Sequence, residues 1–154
     1  QHVDSYTFID HAVADCTSNQ NYKGILDDKA TGVFAGKILV RQEAQRTTAY
    51  QTNNNICLTD EARMKTKPIL EIYADDVKCS HGATVGQLDE NALFYMQSRG
   101  ISCRESRLLL TYAFGHEILK KVTISPLRDR LDDLVEKRLR GELSRCNSCS
   151  LHCQ

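Results

Sequence analysis

Three stretches of the first half can be laid over one another: "TFIDHAVADCTSNQ", "KILVRQEAQRTTAYQ" and "LEIYADDVKCSHGAT". With Ile9, Val40 and Tyr73 aligned, the copies recur after 31 and 33 residues. Each passes from an apolar pair through alternating residues to a small polar turn. No segment there holds helical periodicity for long. Clusters such as "GVFAGKILV", "NNICLTD" and "ILEIYADDV" are broken by Gly, Asn, Asp and Thr, so many short strands are expected. Strands recurring at a fixed period bury their faces against the copies before and after them, which is the mark of a β-solenoid. A sandwich with regularly spaced turns would read similarly. The expectation is a mainly β fold with solenoid coils over residues 1–87.

Residues 88–144 are written differently. Asp89 can cap a helix through "ENALFYMQSR", with Gly100 at its left-handed end. Ser102-Cys103-Arg104-Glu105 is a capping box for a second helix. That helix carries Leu108, Leu109, Tyr112, Ala113 and Leu119, with Leu110, Phe114 and Ile118 beside them. So wide an apolar surface predicts burial on more than one side. Ser125-Pro126 reads as a cap followed by proline, opening a third helix that Gly141 ends. Its stripe is Leu127, Leu131, Leu134, Val135 and Leu139. Three short helices of this kind form a small helical domain, whose spare apolar surface either caps the coils or docks a partner.

Twenty basic residues balance twenty acidic ones, so no overall field draws the chain to nucleic acid or to a membrane. No apolar run approaches a membrane span, and no signal-peptide pattern opens the chain. Seven cysteines is an odd number, most of them far apart, which favours reduced thiols in the cytoplasm over a disulfide framework. The chain begins at Gln1 and runs straight into strand-like text, so it reads as a piece of a longer protein.

Motifs for nucleotide chemistry are missing. "GVFAGK" (Gly32–Lys37) has one residue too few between its glycines for a phosphate loop, and Ile38 stands where Ser or Thr should follow. Any ATP hydrolysis must come from another protein. His116-Glu117 has no second histidine four residues on and reads as a helix-surface or packing pair, not a ligand set. The tail "CNSCSLHCQ" offers Cys146, Cys149, His152 and Cys153 at metal-ligand spacing, but on one terminal segment, so residues 145–154 read as a flexible Cys-rich tail. "DDVKCSHGATVG" (Asp75–Gly86) sets Cys79 and His81 on one side of a strand, with Gly82 and Ala83 leaving room beside them. Two ligands do not close a metal site, and a packed thiol beside a surface histidine is the plainer account.

"YADDVKCSHGATVGQLDENALFYMQSRGIS", followed by "ESRLLLTYAFGHEIL", closely resembles the C-terminal part of the SufB/SufD family of iron–sulfur cluster assembly proteins. The likeness is strong over about residues 68–140 and looser before them. The "KCSHGAT" wording, where SufB members carry a glutamate-containing phrase, puts it on the SufD side.

The resemblance implies a right-handed parallel β-helix followed by a helical domain. It also implies a non-catalytic scaffold in the SUF complex, joined to a SufB-like paralogue and a SufC-like ABC-type ATPase. Its cargo would be a nascent iron–sulfur cluster, transient and shared, with no cofactor held by the isolated chain. Carried over by motif, His81 faces the paralogue and is the candidate cluster ligand, with Cys79 its neighbour. The ATPase contact falls around Phe94, Tyr95, Arg99, Gly100 and Ile101 and on the second helix. The rival expectations are a structural β-solenoid that dimerises by its edge without metal, a β-helix carbohydrate lyase resting on Asp75 and Asp76, and a zinc protein organised by the tail.

Overall fold

The computed structural model of the chain describes residues 1–142. The tail reading built on Cys146, Cys149, His152 and Cys153 lies outside them. The described residues are mainly β with three helices. They divide into two units, one covering Gln1–Leu88 and the other starting at Asp89.

The first unit holds six strands: β1 (His2–His11), β2 (Thr17–Leu26), β3 (Thr31–Val40), β4 (Thr47–Cys57), β5 (Arg63–Ile72) and β6 (Val77–Gly86). Successive strands go to different sheets. One sheet has the order β1-β3-β5 and the other β2-β4-β6, and every pairing is parallel. The core lies on facing sides of the two sheets. Ile38 and Val40 of β3 meet Ala49 of β4, together with Ala44 and Ala74 from the connections, and Leu70, Val77 and Cys79 pack against this cluster. A second cluster, Leu26, Cys57 and Ala62, lies toward the other strand ends. Side chains alternate along each strand, so β3 reads half-buried, buried, half-buried throughout.

The repeat is real, but its alignment needs correction. Ile9 pairs with Ile38, not Val40, and Val40 pairs with Ile72, not Tyr73. The second shift is a single residue, which moves a side chain to the opposite face. Val40 is buried while Tyr73 is exposed, as that parity demands. The turns obey the repeat better than the strands do. Asp15 and Arg46, 31 residues apart, both take left-handed backbone, with φ of 62° and 58°. They also form a two-point ion pair, Arg46 Nε and Nη2 each donating to Asp15 at 2.6 Å. Arg41 grips Asp10 in the same way, at 3.0 and 2.6 Å.

The second unit holds α1 (Glu90–Ser98), α2 (Cys103–Leu119) and α3 (Ser125–Arg140). Asp89 caps α1 by accepting from the Asn91 and Ala92 N–H groups. Gly100 ends it at φ 86°, its N–H donating to the Gln97 carbonyl while Ile101 N–H donates to that of Met96. This crossed pair is the Schellman closure, and its left-handed residue is most easily a glycine. Ser102 caps α2, accepting from Glu105 N–H at 3.2 Å.

Two expectations for the helices need revision. Ser125 is the first residue of α3 and Ile124 its cap, with no side-chain bond; proline alone supplies the start signal. In α2 the fully buried residues are Ser106 and Thr111, while Leu109 is exposed. Thr111 tolerates burial because its hydroxyl donates to the Arg107 carbonyl at 2.7 Å.

α2 and α3 are tied by polar groups. Tyr112 Oη donates to Asp132 Oδ1 at 2.7 Å, and His116 Nδ1 lies 2.8 Å from the same oxygen. Of the two readings its sequence context left, helix surface or packing, His116 takes the second. Ionising Tyr112 would set a phenolate against this carboxylate, so its pKa is pushed up to about 12 by the hydrogen bond to Asp132 and then by burial. The same hydrogen bond chiefly holds the Asp132 carboxyl below its ordinary value. The signs follow from linkage. Tyr112's contribution is complete below its ordinary pKa of 10.0 and disappears as pH rises through about 12. Asp132's is complete above 3.8 and disappears as pH falls through its lowered value. An ultraviolet titration should therefore show one of the six tyrosines ionising late. In Asp132→Ala that tyrosine should return toward pKa ~10; a late tyrosine that persists in the variant would contradict the assignment.

Candidate functional site: the free edge of β6

β5 and β6 end their sheets, each with a neighbour on one side only. β6 runs parallel to β4 with Ala49 beside Cys79, Gln51 beside His81 and Asn53 beside Ala83. The β4 residues in this column are fully or nearly buried, so Cys79, His81 and Ala83 stand on the inward-facing side of their sheet. Cys79 is half-buried against the Ile38–Val40 cluster. His81 is exposed, because beyond β6 the first unit supplies no further strand in this sheet to cover it. A Cβ added at Gly82, whose side of the strand is the opposite one, would meet nothing within 4 Å, so the outer face of β6 is open as well.

The chemistry of the two side chains differs. Burial pushes the Cys79 thiol up, against a smaller opposing effect of a backbone hydrogen bond at Ala49. Cys79 is therefore a neutral thiol, packed before it is reactive, and it binds metal only by releasing a proton. His81 presents an accessible imidazole. Among the described residues no three His, Cys, Asp or Glu side chains are grouped closely enough to hold a metal. The pair anticipated from sequence is on one side of one strand, and the described residues bring them no third ligand. The described cysteines, Cys16, Cys57, Cys79 and Cys103, are free thiols. Asp75 and Asp76 lie in the bend before β6. There Asp76 N–H donates to Gln45 Oε1 and its carbonyl accepts from Arg46 N–H, which gives it a structural place in the turn.

The interior behind His81 went unnoticed in the sequence. Gln51, Asn53 and Asn55 are buried on β4. Asn55 Nδ2 donates to Asn53 Oδ1 at 2.7 Å and reaches the Thr84 carbonyl of β6 at 3.1 Å. Asparagine runs usually mark turns, and this one concealed the middle of a central strand. The signal that could have found it is parity: Thr47, Ala49, Gln51, Asn53 and Asn55 fall on one face, beside Ser18, Gln20, Tyr22 and Gly24 of β2.

On the helical unit, α1 exposes two adjacent aromatic side chains, Phe94 at 75 % and Tyr95 at 59 %. The Arg99 guanidinium lies 5.2 Å from the Tyr95 ring centre and donates to its hydroxyl at 3.4 Å. Ile101 is half-buried just after the Gly100 turn. No helix among the described residues is long and apolar enough to cross a membrane.

Comparison with known proteins agrees with these features. Residues 1–114 match the family described as SUF system FeS cluster assembly, SufBD core domain. The chain is 42% identical over 138 residues to the iron-sulfur cluster assembly protein SufD of Escherichia coli (strain K12), covering 90% of this chain and 33% of that protein. It is 48% identical over 121 residues to the iron-sulfur cluster assembly SufBD family protein slr0076 of Synechocystis sp., covering 79% of this chain and 27% of that protein. Protein ABCI7, chloroplastic, of Arabidopsis thaliana is 40% identical over 114 residues, covering 73% of this chain and 24% of that protein. The chain thus spans about a third or less of the length of these relatives. By this match, and by the wording around His81 that first suggested it, the chain belongs to the SufB/SufD family of iron–sulfur cluster assembly proteins and is SufD-like within it.

Proposed function

We propose that this chain supplies coils of a right-handed parallel β-helix and a helical domain to a non-catalytic scaffold on which nascent iron–sulfur clusters are built in the cytoplasm. Strands that alternate between two parallel sheets with short connections support the solenoid reading, and parallel crossovers are overwhelmingly right-handed. A SufB-like paralogue docks along the free edge of β6, while a SufC-like ATPase takes the face around Phe94, Tyr95 and Arg99. The cluster is cargo. His81 offers it one ligand, Cys79 a second once its proton leaves, and the partner's residues the remainder, since iron accepts both imidazole and thiolate. A site divided between two chains opens when they separate, and nucleotide-driven movement of the ATPase would supply that separation.

One observation carries this reading: an exposed imidazole on the inner side of an edge strand, with no further strand of its unit to cover it. The test is titration of the purified three-protein complex with ferrous iron and sulfide, comparing the native chain with His81→Ala. Removing one ligand from a shared site should cut cluster formation at least tenfold, by analogy with the 10–100-fold loss common when even the support of a ligand is removed. Unchanged cluster formation would sink the assignment of His81. It would leave the second reading, a metal-free dimer of like chains, which the free edges of β5 and β6 also favour.

A further inference from the structure

Gln20, Gln51 and His81 form one column, one residue from each strand of the β2-β4-β6 sheet. The first two are joined in a directed chain of hydrogen bonds. Gln20 Nε2 donates to the Tyr22 hydroxyl at 3.2 Å, and Gln51 Nε2 donates to Gln20 Oε1 at 2.6 Å. The proton Gln51 donates goes to β2, away from β6. The chain therefore ends in an acceptor, Gln51 Oε1, which is buried and has no hydrogen-bond partner. Gln51 itself is 0% exposed. Nor is its amide free to search the opposite sheet. Gly36 backs onto it so closely that a Cβ there would stand 2.6 Å from Nε2 and 2.7 Å from Oε1. Buried acceptors in folded proteins are almost always satisfied, so an orphan calls for an explanation. The next side chain in its column is an imidazole.

We propose that Gln51 is a positioning residue for His81: when the exposed ring turns in over its own column, the orphan carbonyl oxygen accepts the N–H of one ring nitrogen and so leaves the lone pair of the other free for a ligand. A neutral imidazole has one donor and one acceptor nitrogen, and whichever is bonded as donor decides which can bind metal. Histidine ligands are commonly held this way by a carbonyl or carboxylate behind them. Here the holding group belongs to the adjacent coil, and Gln20 and Tyr22 fix its orientation in turn. The inference builds on His81 as the partner-facing ligand, but Gln51, Gln20 and Tyr22 all belong to this chain.

Long-range proton–nitrogen correlation spectra of the histidine-labelled chain, recorded at a pH where the ring is neutral, give the test. The His81 signals are identified by their loss in His81→Ala. In the native chain His81 should hold one neutral tautomer. Gln51→Met, which keeps the length and removes the acceptor, should release it to a mixture, and Gln51→Glu should restore the single form. A native spectrum with both tautomers in the proportions of free imidazole overturns the proposal without recourse to any variant. A single tautomer that survives in folded Gln51→Met overturns it as well. The spectra need no iron and no partner, so failure here is distinguishable from failure of the cluster-site reading.

Discussion

Ile38→Ala should destabilise the strand unit by about 2–5 kcal/mol, toward the upper part of that range. Ile38 is 0% exposed and is the largest fully buried side chain of the unit. Three of the other buried members of its cluster are alanines, Ala44, Ala49 and Ala74, whose short side chains cannot swing in to refill the space. Where neighbours cannot relax, a truncation leaves the whole cavity, and its cost rises with the volume left. The check is the denaturant midpoint, which should fall while the slope of the transition stays constant. Hydrogen exchange should show where the loss is felt first. Cys79 and Val77 pack on the same cluster, and β6 has one neighbouring strand, so its amides should lose protection before those of β4. A midpoint shift under 1 kcal/mol would mean that the two sheets do not share the core described.

The second large effect concerns the helical unit and tests the proposed ATPase contact. Phe94→Ala and Tyr95→Ala should each leave the fold intact, since neither side chain is buried. If α1 is the docking face, each should weaken binding of the purified ATPase by about 30-fold or more, the effect of losing a 2 kcal/mol aromatic anchor. Tyr95→Ala also frees Arg99, which now lies over the ring, so its loss should be the larger of the two. Calorimetric titration against the native chain would measure both. Binding constants unchanged by either substitution would move the contact off α1. The closure at Gly100 matters here because it joins α1 to the Ser102 cap through only Arg99, Gly100 and Ile101. Aromatic side chains held at so tight a corner lose little freedom on binding.

How far the sequence could be read depended on the kind of signal. Helix ends were legible wherever one residue does one local job: Asp89 and Ser102 as acceptors, Gly100 and Gly141 as left-handed stops. Ser125 misled because a cap and a first helical residue look alike before a proline. The repeat was visible through its turns, but strand register is set by which face is buried, and in β5 the burial contrast is weak. In α2 the apolar letters overstated burial, since Ser106 and Thr111 face inward while Leu109 does not. At the candidate site, Cys79 and His81 could be found because their residue types advertise their chemistry. Gln51 could not, because an amide has no distinctive letter pattern and its importance lies in a neighbour 30 positions away.

The edge strand has one more property. Val77–Gly86 is ten residues long, with five on each side of the peptide bond between His81 and Gly82. Any strand of similar length that aligned antiparallel along the whole of β6 would bring its own midpoint to that bond. Two like strands related by a twofold axis would cross there, each presenting its central side chains to the other. In such a pairing the histidine would sit at the crossing point, and peeling the strands apart from either end would separate its neighbours last.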